Sequence, residues 1–154
     1  MASHYEGEVK QLIQMLKYER AMRAANYLAE LLVPQVKPRD YDYISWAPVS
    51  SRRFRQRGYN QAKLIAKQIA AQTKVPYIET LGRLGHARQV GTGRKLRTQQ
   101  LKGSMYAVKP ERFKSKRIVI VDDVLTTGAT LSECANVLMA AGAKSVWGAA
   151  VAKH

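Results

Sequence analysis

The chain has 154 residues, enough for one domain with a hydrophobic core, and its apolar fraction of 46% and charged fraction of 24% are typical of globular proteins. The single cysteine, Cys134, excludes an internal disulfide, and no apolar stretch is long enough to predict a membrane span. The net charge of +15 indicates a polyanionic ligand or partner. We therefore expect a cytoplasmic protein without membrane insertion, and the sequence predicts no particular oligomeric state.

Two helices are predicted in the N-terminal part of the chain, residues 5–34. The first is indicated by apolar residues at helical spacing: Val9, Leu12, Ile13 and Leu16. The second covers residues 22–32 and ends before Pro34. Residues 1–4 are interpreted as an untied start. We interpret residues 1–154 as one domain in which this helical part precedes an α/β core at 41–154.

A basic segment follows the first predicted strand, which covers residues 41–49 and ends near Pro48, because proline cannot donate to a ladder. We interpret residues 50–61 as a loop, with a helix from about Asn60 to Thr73 after it. The hydroxyls and guanidinium groups of the 50–61 segment can donate hydrogen bonds to phosphate oxygens. Four of its residues are therefore candidates for a pyrophosphate loop: Ser50, Ser51, Arg52 and Arg53. The alternative is a solvated basic turn.

The middle of the chain carries most of the positive charge. Residues 43–110 hold the majority of the lysines and arginines, with Glu79 as their sole acid. Such a distribution predicts binding of a phosphorylated small molecule or of nucleic acid. The candidate nucleic-acid contacts are Arg55, Arg57, Lys95 and Lys102.

The segment between the basic loop and the last strands is less regular. Residues 75–81 are predicted to form a strand, and residues 105–108 a short strand or hairpin. Residues 83–102 are polar, contain glycines and lack acids, which is typical either of a loop that closes over a ligand or of a basic linker. Trp46 and Trp147 are predicted to be core residues of strands.

Residues 117–130 are the most informative stretch. Four branched apolar residues, 118–121, predict a strand buried on both faces, as in a parallel sheet. Asp122 and Asp123 follow, at the end of the strand where open α/β sheets bind ligands. Carboxylates placed there can accept hydrogen bonds from sugar hydroxyls or help to hold Mg²⁺.

A small, hydroxyl-rich loop comes next: Thr126, Thr127, Gly128, Ala129 and Thr130. It precedes a helix that is predicted to stop near Gly142, and residues 145–151 are predicted to form another strand. Unpaired N–H groups at a helix N-terminus favour an anion, so the loop is a candidate phosphate site. The alternative is an ordinary strand–helix unit in which Thr127 or Thr130 caps the helix. The stretch lacks the Gly-Lys-Ser/Thr of a Walker loop.

The sequence Val-Ile-Val-Asp-Asp-Val-Leu-Thr-Thr-Gly-Ala-Thr at 119–130 resembles the signature of type I phosphoribosyltransferases that binds 5-phosphoribosyl 1-diphosphate (PRPP). The resemblance implies an α/β fold with a central, mostly parallel sheet flanked by helices and a flexible basic loop. It also implies that Asp122 and Asp123 contact the ribose and share Mg²⁺ with PRPP, and that residues 126–130 hold the 5′-phosphate. The flexible loop would contribute Arg88, Gln89, Arg94 and Arg97.

A second motif narrows the resemblance. Pro48 followed by Arg52 or Arg53, and then Arg-Gly-Tyr-Asn-Gln at 57–61, is similar to the ComF (competence protein F, GntX-like) branch. That branch implies a role in natural transformation and DNA uptake, with single-stranded DNA and competence or recombination proteins as partners. Its members usually begin with a four-cysteine zinc module, whose cysteines this sequence lacks, so no zinc site is predicted.

Two hypotheses remain open from the sequence. The first is a phosphoribosyltransferase that binds PRPP and Mg²⁺ and acts on an unidentified acceptor. The second is a non-catalytic module that keeps the fold and uses its basic surface to bind single-stranded DNA or a partner protein. The intact Asp122-Asp123 pair favours the first, and the excess of cations over those that one diphosphate requires favours the second.

Overall fold

The computed structural model describes residues 3–4, 7–16, 21–36, 40–84 and 104–153. Its strands and helices, in chain order, are β1 Ser3–His4, α1 Gly7–Met15, α2 Ala21–Leu32, β2 Tyr43–Trp46, α3 Ser51–Arg57, α4 Gln61–Thr73, β3 Leu81–Arg83, β4 Met105–Ala107, β5 Arg117–Leu125, α5 Ala129–Ala140 and β6 Ser145–Lys153. None of the helices within these ranges has both the length and the apolar character that a membrane crossing needs.

The central sheet has four parallel strands in the order β1-β6-β5-β2. In its inner strand β5, four successive residues are each at most 2% exposed: Ile118, Val119, Ile120 and Val121. Such burial on both faces is what a parallel sheet covered by helices requires, and it explains the unbroken apolar run. The predicted α/β class with a mostly parallel sheet is confirmed.

Helices cover both faces of the sheet. Val119 and Val121 point into a core shared with α1, α2 and α4, whereas Ile118 and Ile120 point into a second core shared with α5 and the β3–β4 ribbon. One face of α2 is fully buried: Ala25, Leu28, Ala29 and Leu32. Because successive strand residues alternate between faces, β5 separates the molecule into these two layers.

The basic segment forms a helix, and the prediction of a loop over residues 50–61 is wrong in that respect. Helix α3 begins after Ser50, whose side chain accepts a hydrogen bond from the N–H of Arg53, and it ends at Gly58, which has a φ of 77°. A serine N-cap and a left-handed glycine at the C-terminus are strong helix boundaries that the arginine content concealed.

Three other expectations need correction. Residues 75–81 form no regular ladder: Tyr77 makes one isolated bridge to Ile44, and the strand lies later, at β3. Trp147 is 59% exposed, because it lies on the face of β6 opposite to Val146 and Gly148, which pack towards α5. Ser3–His4 is paired in parallel with Ala152 and Lys153 rather than untied.

Candidate functional site

A cleft of about 470 Å³ opens at the carboxyl ends of β2 and β5. Its walls come from five parts of the chain: Ile13 of α1, the end of β2 with α3, the start of α4, the end of β3, and the β5–α5 turn. The parallel pairing of Tyr43 to Trp46 with Ile118 to Val121 brings these distant segments to the same edge of the sheet. This is the position at which open α/β sheets bind ligands.

The two aspartates lie in the cleft wall where β5 leaves the core. Asp122 Oδ1 accepts a hydrogen bond of 2.9 Å from the N–H of Asp123, and Asp123 Oδ1 accepts one of 2.8 Å from the N–H of Val124. Both side chains are half-buried. These bonds hold the two carboxyl groups in fixed orientations beside each other.

Burial and the neighbouring charge change the acidity of this pair. Burial, followed by the negative charge of Asp123, raises the pKa of Asp122 from 3.8 to about 7, although the N–H of Asp123 and the guanidinium of Arg53 oppose the shift. The adjacent carboxyl group of Asp123 favours retention of a proton by the pair. A cation or a set of hydroxyl donors placed against the pair would favour its ionised form.

The threonine loop, which follows the two aspartates in the chain, also borders the cleft. Gly128 has a φ of 78° and serves as the N-cap of α5, and the hydroxyl of Thr127 accepts a hydrogen bond of 3.3 Å from the N–H of Ala129. Within the described ranges no acceptor faces the N–H groups of Thr130 and Leu131. The first turn of α5 therefore presents free donors beside the cleft, while Thr126 and Thr130 line it.

Arginines line the facing wall. Arg53 and Arg57, one turn apart on α3, border the cleft together with Arg83 at the end of β3. Burial, and then the positive charge of Arg53, lowers the pKa of Arg83, so these guanidinium groups lie near each other. An anion between them would relieve this repulsion.

The structure brings together only part of the predicted pyrophosphate loop. Arg53 borders the cleft, whereas Ser50, Ser51 and Arg52 are absent from its lining and belong to the cap and first turn of α3. Arg57, which was predicted as a nucleic-acid contact, also lines the cleft, and Arg55 is exposed. The flexible-loop and remaining nucleic-acid candidates lie outside the described residues: Arg88, Gln89, Arg94, Lys95, Arg97 and Lys102.

Three polar residues of the lining had no predicted role in the site: Arg83, Asn60 and Gln61. Asn60 caps α4 by accepting from the N–H of Lys63 at 3.2 Å, and its Nδ2 donates to the carbonyl of Ala47 at 2.9 Å. An asparagine directly before a helical pattern is a cap signal that the sequence did contain. Arg83 was not predicted to line the site because the strand that it ends, β3, was predicted earlier in the chain, at residues 75–81.

Gln61 begins α4 and is 4% exposed. Its Nε2 has no hydrogen-bond partner, although the residue lines the cleft. The Tyr59 hydroxyl, two residues earlier, donates to the carbonyl of Leu16 and ties this turn to the end of α1.

The donor set of the cleft fits a hard divalent cation that is shared with a ligand. Asp122 and Asp123 supply carboxylate oxygens, the ligand type that Mg²⁺ prefers. Two carboxylates do not complete an octahedral shell, and no group of three or more potential ligands from His, Cys, Asp or Glu occurs among the described residues. The residues therefore suit a cation whose other ligands come from a phosphorylated molecule and water.

Comparisons with known proteins agree with this geometry. A family model described as a phosphoribosyl transferase domain matches residues 55–154. Competence protein F of Haemophilus influenzae is 34% identical over 96% of this chain and 69% of its own length. The DNA utilization protein YhgH of Salmonella typhi is 32% identical over 94% of this chain and 66% of its own length. The chain thus spans about two thirds of the length of these curated relatives.

Solved structures with a similar fold include enzymes of nucleotide metabolism. The glutamine phosphoribosylpyrophosphate amidotransferase from B. subtilis superposes with a TM-score of 0.60 at 22% identity, covering 84% of this chain and 26% of that one. The adenine phosphoribosyltransferase from Thermoanaerobacter pseudethanolicus gives a TM-score of 0.52 at 20% identity, covering 82% and 67%. At these identities the likeness shows the fold alone.

Proposed function

The chain belongs to the phosphoribosyl transferase family, in its competence protein F group, and on that premise we propose that its cleft binds PRPP together with a divalent cation. The observation that carries this proposal is the meeting of Arg53 and Arg57 with Asp122 and Asp123 around one cavity of about 470 Å³. Cavities of several hundred Å³ are typical of small-molecule sites.

For each part of PRPP, one side of the cleft carries chemically suitable residues. The 5′-phosphate is assigned to the first turn of α5, where free N–H groups and the hydroxyls of Thr126 and Thr130 converge on the cleft. The ribose hydroxyls are assigned to Asp122 and Asp123. The diphosphate is assigned to Arg53, Arg57 and Arg83, whose guanidinium groups suit phosphate oxygens.

The corresponding reaction is replacement of pyrophosphate at the anomeric carbon by a nucleophile. The C1–O bond breaks, its electron pair leaves with pyrophosphate, and the nucleophile forms the new bond to C1. Asp122 and Asp123 stabilise positive charge that develops on the sugar, and the arginines stabilise negative charge on the leaving group. A bound Mg²⁺ would neutralise charge on the diphosphate.

Calorimetric titration with PRPP, with and without Mg²⁺, tests this proposal. We expect binding that Mg²⁺ strengthens, and a loss of about tenfold or more when Asp122→Asn and Asp123→Asn are combined, because charge-assisted hydrogen bonds to the ribose are removed. Glu111→Gln removes an exposed carboxylate outside the cleft lining and is the matched control. Equal PRPP affinity in the double variant and the parent would contradict the proposal.

A second candidate function, binding of single-stranded nucleic acid, is favoured by α3. Phe54 is 50% exposed on this helix and lies between exposed Arg52, Arg53 and Arg55. An exposed aromatic ring among cations is the combination on which bases stack and phosphates pair. The names of the relatives associate them with competence and DNA utilization, and we propose a DNA-handling role for this chain on the same grounds.

Fluorescence anisotropy with a labelled single-stranded oligonucleotide measures this activity. Phe54→Ala should weaken binding by roughly 1–3 kcal/mol, the value of one stacked base, without changing the salt slope. Arg52→Ala combined with Arg55→Ala should lower that slope. Lys109→Ala combined with Lys114→Ala, which removes two exposed cations elsewhere, is the control. If all variants bind equally, α3 is not the contact.

A further inference from the structure

The outer edge of β6 carries the most exposed large apolar side chain of the described residues, Trp147. Strand β1 pairs with β6 only at Ala152 and Lys153. Within the described ranges no strand therefore lies beside residues 145–151 on the side away from β5. Alternate backbone N–H and C=O groups of these residues point to an edge without a partner strand.

This edge lacks the features that keep an exposed strand from pairing with another chain. Residues 145–152 contain neither a charged residue nor a proline. Natural proteins commonly place lysine, proline or a bulge on such an edge. An uncharged edge with an exposed tryptophan instead favours coverage by another polypeptide.

An exposed apolar residue of α2 extends this surface. Val119 is the neighbour of Trp147 in β5 and points into the core shared with α2, so Trp147 faces the α2 side of the sheet. Asn26 accepts a hydrogen bond from Gln72 of α4, which identifies the flank of α2 that faces α4. Leu31, five residues later, lies roughly 140° around the helix. It is exposed on the flank towards the open edge of β6.

Three lysines surround the start of this edge. Lys144 precedes β6, and its N–H donates to the carbonyl of Lys116 at 2.8 Å. Lys114 lies against Gly142, two residues before Lys144. All three lysines are exposed, and no carboxylate of the described residues forms a salt bridge with them. They lie at the amino ends of β5 and β6, whereas the cleft lies at the carboxyl ends, so this surface is separate from the proposed PRPP site.

We propose that the open edge of β6, Trp147 and the three lysines form a docking surface for an extended acidic segment of a partner protein, which adds to the sheet as a further strand. The backbone of that segment pairs with the edge, its apolar side chains cover Trp147 and Leu31, and its carboxylates bind the lysines. Charge selects this partner over a second copy of the chain, because two chains of net charge +15 repel each other. Nucleic acid has the complementary charge but cannot continue the hydrogen-bond ladder.

An NMR titration of the isotope-labelled full chain with an alternating Glu-Val peptide of about eight residues tests the proposal. We expect shifts at the indole N–H of Trp147 and at the amides of residues 145–151, while the signals of Trp46 and Thr126 stay in place. A Glu-Pro peptide of the same charge, which cannot form a strand ladder, should bind about tenfold more weakly. A Lys-Val peptide should not bind, because its charge has the wrong sign.

Two sets of variants identify the contacts. Trp147→Ser should weaken binding of the Glu-Val peptide about fivefold or more, because the apolar anchor is lost. Lys116→Ala combined with Lys144→Ala should weaken it to a similar extent and reduce its salt dependence. Lys10→Ala combined with Lys67→Ala removes two exposed lysines elsewhere and is the control. If Trp147→Ser does not fold, the comparison of the two lysine pairs decides the outcome.

The proposal is overturned if the Glu-Val peptide leaves the signals of Trp147 and β6 unchanged. It is also overturned if the Glu-Pro peptide shifts them equally, since attraction between charges would then be the whole effect. Shifts produced by oligodeoxythymidylate and not by the peptide would assign the surface to nucleic acid instead. Shifts that grow with the concentration of the chain alone would assign it to a second copy.

Discussion

At Asp122 the fold disfavours the negative charge that the proposed chemistry uses. The strand β5 carries it out of a fully buried run and places it beside Asp123, so that burial and repulsion raise its pKa to about 7. An ordinary strand end would leave a carboxyl group solvated. The fold thus places a carboxyl group where a hydroxyl donor or a cation would stabilise its ionised form.

The pH dependence of stability follows from this raised pKa. The folded state holds the Asp122 proton more tightly than the unfolded state does. The contribution of this proton to the free energy of unfolding is therefore complete below about pH 4 and is lost as pH rises through about 7. The Asp122→Asn variant has no titrating group at this position, so its stability does not fall in this way. Urea denaturation should show the variant gaining roughly 1–3 kcal/mol on the parent between about pH 5 and pH 8. A pH-independent difference would contradict the assigned pKa.

Asn60 has a positioning role that substitution can separate into two parts. Asn60→Asp keeps the cap on Lys63 but loses the bond to the Ala47 carbonyl, whereas Asn60→Ala loses both. We expect Asn60→Ala to lower the free energy of unfolding by roughly 1–3 kcal/mol and Asn60→Asp by less. Asn26→Ala, which removes two exposed hydrogen bonds, to Glu30 and from Gln72, should change it little. Equal losses in both Asn60 variants would show that the Ala47 bond dominates.

At the scale of elements, the sequence predicted what depends on local pattern. The apolar run of β5, the buried face of α2 and the left-handed Gly142 after α5 all follow from spacing and residue type. The helix α3 was missed because its arginines suggested a binding loop, although Ser50 and Gly58 marked its ends. The place of Gln61 in the cleft depends on packing between distant segments, which no local pattern contains.

Two left-handed glycines allow a matched test of the threonine loop. Gly58 and Gly128 have nearly the same φ, 77° and 78°, so alanine at either should cost about 1–2 kcal/mol of backbone strain. Ribose 5-phosphate affinity should fall in Gly128→Ala because the turn before α5 is displaced, and it should hold in Gly58→Ala. Calorimetry on both variants measures this difference. A similar loss in both would indicate a general effect of destabilisation.

At the scale of the whole molecule, the sheet brings together two segments of the cleft lining that are far apart in the chain. The α3–α4 segment follows β2, the threonine loop follows β5, and their parallel pairing places both at one edge. The sequence predicted both segments, and a family resemblance indicated that they form one site, but Trp147 is exposed, which contradicts its predicted burial. Burial at a sheet edge depends on which neighbours cover it, and the strand pattern alone does not specify them.

The central claim is that one ligand spans the cleft from the arginine wall to the threonine loop. Calorimetry with PRPP, pyrophosphate and ribose 5-phosphate on Arg53→Ala and Thr130→Ala tests it most directly. PRPP affinity should fall in both variants, pyrophosphate affinity should fall only in Arg53→Ala, and ribose 5-phosphate affinity only in Thr130→Ala, each by about fivefold or more. PRPP affinity that neither substitution changes would contradict the claim.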